Sequence, residues 1–214
     1  MIFSEKKYKL DQSPFFRLSN KKRLAQLLSI DLHLITDLNS SKLLTQYRIF
    51  RDKKTNRLIT EPIKDLAKVH KKILHLFQRI EAPDYLHSAI KKRSYKSNAA
   101  VHLNSEKTLK IDFKKFFPSI RFEYIHNFFL KDLQCSTDIA TILAKLISVK
   151  TKEHGVHLPT GSCISPLLSY WINKNIFDKL NTTAIENNCK FSLYVDDMTI
   201  SGPNASPELL NKIA

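Results

Sequence analysis

The chain has 214 residues, with 35 Lys and Arg against 20 Asp and Glu for a formal net charge of +15, and 43% of its residues are apolar. That is enough apolar matter for a core, which excludes a disordered polar chain, and no apolar run approaches the roughly 18 residues that would span a membrane. The surplus charge is uneven, net +13 over residues 1–100 and +2 over residues 101–214, so a polyanionic partner should meet mainly the first half.

The opening MIFSEKKYKL holds no apolar segment of secretory length, and the chain reads as a soluble, cytoplasmic protein. Cys135, Cys163 and Cys189 show no CxxC spacing, which argues against a disulfide framework or a zinc site. Residues 20–30 (NKKRLAQLLSI) read as a short helix with Leu24, Leu27 and Leu28 on one side and Lys21, Lys22 and Arg23 at its start. Residues 47–51 (YRIFR) and 57–61 (RLITE) read as two strands joined by the polar DKKTN. Pro62 is placed as the first residue of an amphipathic helix that turns Ile63, Leu66, Val69, Ile73, Leu76 and Phe77 inward and ends before Pro83. Its opposite face carries Lys64, Lys68, Lys71 and Lys72, either a solvated face or a nucleic-acid contact.

Residues 109–113 (LKIDF) form a predicted strand that runs into FFPSI. Two helical stretches follow, about 122–133 and 137–149, the second with Ser136 as its cap. After EHGVHLPTGSCI, Ser165 as cap and Pro166 in the first turn open a long helix through Trp171, Ile172, Ile176, Phe177 and Leu180. Finally, FSLYV and MTISG flank Asp196 and Asp197, a hairpin with carboxylates at its tip.

Asp112, Asp196 and Asp197 are the residues that need explaining, because all three lie in apolar strand contexts. A carboxylate among β-formers is costly to desolvate, and two adjacent ones repel unless a cation neutralises them. Hard oxygen ligands suit Mg²⁺. If the two strands are neighbours in one sheet, Asp112 and Asp196 converge on a pair of metal ions able to promote phosphoryl transfer. Taken alone, adjacent Asp residues at a turn are also ordinary turn chemistry.

The surrounding residues carry a family resemblance. Tyr194-Val195-Asp196-Asp197 resembles the YxDD box of reverse transcriptases. Asp112 with Phe116-Phe117-Pro118-Ser119-Ile120 is similar to that family's first palm motif, and Leu158-Pro159-Thr160-Gly161-Ser162, leading to Ser165-Pro166-Leu167, resembles its LPxGxxxSP motif. Asn98-Ala99-Ala100-Val101-His102 matches the NAxxH element of bacterial retron reverse transcriptases, and Arg93-Ser94 is similar to their fingers segment. The likeness covers roughly residues 45–202.

The resemblance implies an α+β right-hand polymerase with fingers over residues 1–108 and an antiparallel palm sheet with helices over 109–214, finger helices being inserted at about 121–150. It implies RNA-directed DNA synthesis with two Mg²⁺ ions, or Mn²⁺ in their place, held by Asp112, Asp196, Asp197 and the main-chain carbonyl of Phe113. Phe117 falls at the steric gate that excludes a ribose 2′-OH. Arg57 and Arg93 count with Thr160 and Gly161 as nucleotide-binding residues, Arg57 as a bidentate phosphate clamp. Thr160 departs from the Gln that many reverse transcriptases have there. Asn98 and His102 are expected as a structural polar pair holding fingers to palm. The partners implied are a structured non-coding RNA as template and primer, nascent DNA and dNTP, with no membrane, in anti-phage defence.

The sequence ends at Ala214, seventeen residues after Asp197, without the later palm motif or the VTG element of retron enzymes. The expectation is a thumb-less chain: a fragment, a truncated product, or a subunit whose thumb comes from a protein partner or second chain. Two rival readings stand beside it. One is a catalytically silent RNA-binding or assembly subunit on the same scaffold, and the other is a non-templated polymerase using the same carboxylates.

Overall fold

The computed structural model describes residues 6–38 and 42–212. In chain order its principal elements are α1 (Lys21–Leu28), α2 (Leu32–Thr36), β1 (Tyr47–Arg51), β2 (Leu58–Pro62), α3 (Lys64–Phe77), α4 (Tyr95–Ala100), β3 (Thr108–Asp112) and α5 (Phe116–Ser119). They continue with α6 (Phe122–Asn127), α7 (Thr137–Ile147), β4 (Val149–Thr151), β5 (Gly155–His157), α8 (Ser165–Ile172), α9 (Lys174–Glu186), β6 (Lys190–Tyr194) and β7 (Asp197–Ser201). Among the described residues helices combine with three antiparallel sheets, the α+β class expected. Among the described residues no helix is long and apolar enough to cross a membrane.

The elements cluster in two compact units that interleave along the chain: Met1–Glu81 with Phe117–Ser165, and Ala82–Phe116 with Pro166–Ala214. Residues 82–108 therefore pack with the strand that bears Asp112, while the helices inserted after it pack with the basic N-terminal region.

In the first unit, the Asn20 side chain caps α1 by accepting from the Arg23 N–H. Pro62 does not open a helix but closes β2 opposite Tyr47, where a missing N–H interrupts no interior ladder bond. The free N–H groups of Asp65 and Leu66 at the start of α3 donate instead to Gln46 Oε1, a cap delivered from before the hairpin. The apolar stripe of α3 (Leu66, Val69, Ile73, Leu76, Phe77) is buried, and Lys64, Lys68 and Lys71 are exposed. Phe15, Phe77, Phe128 and Phe129 form the aromatic centre of this unit, with ring centroids 5.3–6.3 Å apart. The helix expected through 133 breaks into α6 and a π-helical turn over Phe128–Asp132. Ser136 stands before α7, but its hydroxyl engages the Asp138 carboxylate rather than a backbone N–H.

In the second unit, β7 lies between β3 and β6 in an antiparallel sheet. Its register puts Leu109, Ile111, Phe191, Leu193, Met198 and Ile200 on one face and Lys110, Asp112, Ser192, Asp197, Thr199 and Ser201 on the other. The Tyr85 ring packs 5.3 Å from that of Phe191 on the apolar face. The long helix expected after Pro166 is two helices broken at Asn173, whose side-chain amide donates to the Ser169 carbonyl and competes with helical continuation. Ser165 is the first residue of α8 and not its cap, since its hydroxyl donates to the Pro159 carbonyl.

Candidate active site

Asp112, the last residue of β3, is the register partner of Asp197, the first residue of β7, and Asp197 is in turn paired with Tyr194 of β6. Directly opposite residues on one face have Cβ atoms about 5 Å apart, where like charges destabilise the ladder. The register thus pairs Asp112 with Asp197, and Asp196 occupies the two-residue loop with Val195. Val195 has φ +65°, a left-handed conformation that a β-branched residue rarely adopts and that primed hairpin turns usually give to Gly or Asn. Lys110 Nζ is 3.9 Å from Asp197 Oδ2, with both side chains at least half in solvent, so it offsets the paired charge only weakly. Asp112 is exposed. Among the described residues no three Asp, Glu, His or Cys side chains gather as a metal-holding group.

Behind the carboxylates, the same polar face is closed by His102. Its Nδ1 is 2.6 Å from Ser201 Oγ on β7 and its Nε2 is 2.7 Å from Ser192 Oγ on β6, so one imidazole staples the two strands of the hairpin. Burial, followed by the neighbouring Lys190, His87 and Lys110, holds its pKa below the usual range, which favours the neutral ring. Asn98 is buried on α4, with no hydrogen-bond partner for its Oδ1 among the described residues. Arg93 places its guanidinium on the carbonyls of Pro83 and Leu86 and on the Asp84 carboxylate. The segment it clamps bonds to Leu193 of β6 through the Tyr85 carbonyl and the His87 N–H. Both residues therefore brace the acidic hairpin. The Phe113 ring stacks on Phe116 at 5.4 Å and meets Phe177 edge-on at 6.4 Å, which anchors the chain just after Asp112.

The remaining expected residues belong to the first unit. Of the three arginines in the β1–β2 hairpin, Arg48 pairs with Glu61 and Arg51 with Glu153 and the Asn56 carbonyl. The exposed Arg57 side chain has no hydrogen bond or ion pair with any described residue. The structure brings this hairpin and the LPTGS loop together. Thr160 Oγ1 accepts from the Thr60 N–H (3.1 Å) and donates to the Leu58 carbonyl (2.8 Å), and the Gly161 N–H donates to the Thr60 carbonyl (3.1 Å). A Cβ on Gly161 would lie 3.1 Å from both Thr60 O and Glu61 Cα, so the close approach of β2 is itself a reason for glycine here. Phe117 is half-buried in α5. Sequence reasoning passed over His70, which is fully buried on α3 with Nδ1 2.6 Å from Ser162 Oγ and Nε2 2.8 Å from the Leu146 carbonyl. Burial pushes its pKa down to about 4. Its place in an apolar helical stripe gave no sign of a polar role.

Antiparallel strands that present acids at a tight hairpin, with helices on the opposite face, are the makings of a polymerase palm. The family model of reverse transcriptases (RNA-dependent DNA polymerases) matches residues 37–213, and the chain belongs to that family. It is similar to the retron Se72 reverse transcriptase of Salmonella heidelberg (strain 579083-10), with 32% identity over 153 residues, 69% of this chain and 38% of that protein. It is also similar to the retron Ec73 reverse transcriptase of Escherichia coli (30% over 135 residues, 59% of this chain and 43% of that protein). A third relative is the retron Mx65 reverse transcriptase of Myxococcus xanthus, 26% identical over 164 residues, 70% of this chain and 38% of that protein. The aligned part is thus well under half the length of each of these relatives.

Proposed function

We propose that this chain carries palm and fingers elements of a retron-type reverse transcriptase, which copies a structured RNA into DNA in the cytoplasm as part of anti-phage defence. The observation that carries the reading is the register that sets Asp112 against Asp197 at the end of the polar face of the β3–β7–β6 sheet, with Asp196 in the adjoining loop. The likeness to retron reverse transcriptases supports it.

The donor set fits divalent metal. Two facing carboxylates, Asp112 exposed and Asp197 half-buried, are offset among the described residues by Lys110 at 3.9 Å and lack enough positive charge of their own, and hard oxygens suit Mg²⁺ or Mn²⁺. Asp112, Asp196, Asp197 and the Phe113 carbonyl would hold two ions. When bound, such ions supply charge stabilisation for an in-line displacement at phosphorus.

The chain's own residues do the rest. The primer hydroxyl oxygen bonds to the α-phosphorus of the dNTP, the bond to the pyrophosphate oxygen breaks, and the hydroxyl proton leaves to solvent. Arg57 offers a planar two-pronged donor to the triphosphate. Phe117 excludes a 2′-OH, so deoxynucleotides are preferred. The LPTGS loop, tied to β2, presents a rigid edge to the incoming nucleotide, and Lys64, Lys68 and Lys71 on α3 follow template phosphates with the salt dependence of counterion release.

Primer extension on an RNA template of defined sequence tests the proposal. The expected result is Mg²⁺-dependent incorporation of the complementary dNTP alone. Incorporation indifferent to the template base would support the non-templated rival, and none at all the silent scaffold.

A further inference from the structure

The LPTGS loop is fastened on two sides within the first unit. Thr160 and Gly161 bond it to β2, as described above. On the other side of Gly161, Ser162 reaches the buried His70 of α3, 92 residues away in sequence. The direction of these bonds follows from their partners. The Leu146 carbonyl can only accept, so His70 carries its proton on Nε2, its Nδ1 is the bare nitrogen, and the Ser162 hydroxyl donates to it. The Ser162 oxygen also accepts from the Ile164 N–H at 3.4 Å.

Leu146 lies in the last turn of α7, where carbonyls have no partner within the helix. One neutral imidazole therefore satisfies a helix end and holds a loop, joining α3, α7 and the residues around Gly161. A buried bond of this kind is costly to leave half-made. It also fixes the ring orientation, as outer-shell partners fix metal-bound histidines.

We propose that His70 is a positioning residue for nucleotide binding: through Ser162 it holds the LPTGS loop in the conformation that receives the dNTP. This inference rests on the reading of that loop as nucleotide-binding. His70 touches no reacting atom in this scheme, and its effect falls on affinity for dNTP.

Two substitutions separate its two bonds. His70→Gln keeps a donor for the Leu146 carbonyl but loses the acceptor for Ser162, whereas His70→Asn keeps an acceptor near the Nδ1 position and loses the other bond. With the full chain, Ser162→Ala and His70→Gln should each raise the dNTP KM about tenfold, the equivalent of one buried hydrogen bond, with kcat changed less than about twofold. His70→Asn should stay closer to wild type. The double variant His70→Gln/Ser162→Ala should be no worse than either single one, because both remove the same bond.

Hydrogen exchange at the amides of residues 160–164 should quicken in both single variants. Unchanged KM with quickened exchange, or effects that multiply in the double variant, would overturn the proposal, as would unchanged exchange. If the wild-type chain incorporates no nucleotide, the functional reading fails, and the exchange measurement still decides whether His70 anchors the loop.

Discussion

Asp112 of β3 and Asp197 of β7 face each other across the antiparallel ladder, two carboxylates directly opposite on one face of the sheet. Like charges so placed cost stability, by up to about 1 kcal/mol. Asp112→Asn removes the repulsion and leaves Lys110 with its partner Asp197. In chelator-containing buffer this variant should melt above wild type, and in Mg²⁺ it should lose nucleotide incorporation. A lower melting temperature would mean that the pair is held by something other than two opposed charges.

Arg57 differs from its neighbours in the hairpin. Arg48 and Arg51 are engaged with carboxylates, whereas the Arg57 side chain is exposed and unengaged among the described residues. Arg57→Ala should therefore leave the melting temperature within about 1 °C and raise the dNTP KM by roughly an order of magnitude, the scale of a lost charge-assisted contact. Arg57→Lys should restore only part of the affinity, because an ammonium cannot engage two oxygens in a plane. A KM equal to wild type in Arg57→Ala would return this residue to the general surface charge.

Gly161 has a different sensitivity. The added methyl of Gly161→Ala would press on Thr60 O and Glu61 Cα, backbone atoms of a paired strand that cannot swing aside. A loss of about 1–3 kcal/mol in urea unfolding is expected. Stability equal to wild type would show that β2 and the loop separate more easily than their hydrogen bonds suggest.

Acid should weaken the fold from near-neutral pH downward. Burial holds His70 neutral with a pKa of about 4, and burial also lowers His87, His102 and His157. In the unfolded chain these rings protonate near 6.5. The unfolded state then binds more protons, so the contribution is complete above about pH 6.5 and is lost as pH falls toward 4, on the order of 3 kcal/mol for His70. Melting temperatures measured from pH 8 to pH 4.5 should be flat at first and then drop. A curve that stays flat through pH 5 would contradict neutral burial of these rings.

Much of this was legible in local sequence. The alternation of LKIDF, FSLYV and MTISG marked the sheet, and the acids at its end marked the site. What was not legible depended on partners far along the chain. Gln46 caps α3 from the far side of a hairpin, a partner that the helix-opening habit of Pro62 does not reveal. Asn173 breaks the helix after Pro166 with a side-chain bond that periodicity cannot express. The bonds of the Thr160 hydroxyl to β2 join residues a hundred or more positions apart. His70 and Ser162 meet only through tertiary packing. Arg93 and His102 could be singled out by resemblance, but their bracing of β6 and β7 needed the register.

The most direct measurement is single-turnover incorporation of one templated dNTP, in Mg²⁺ and on an RNA template, by wild type and by the separate Asp112→Asn, Asp196→Asn and Asp197→Asn variants. Wild type should incorporate in a metal-dependent manner, and Asp112→Asn and Asp196→Asn should each lose roughly a thousandfold or more, with melting temperatures no lower than wild type. Incorporation that persists in both variants would contradict a metal-holding role for these carboxylates.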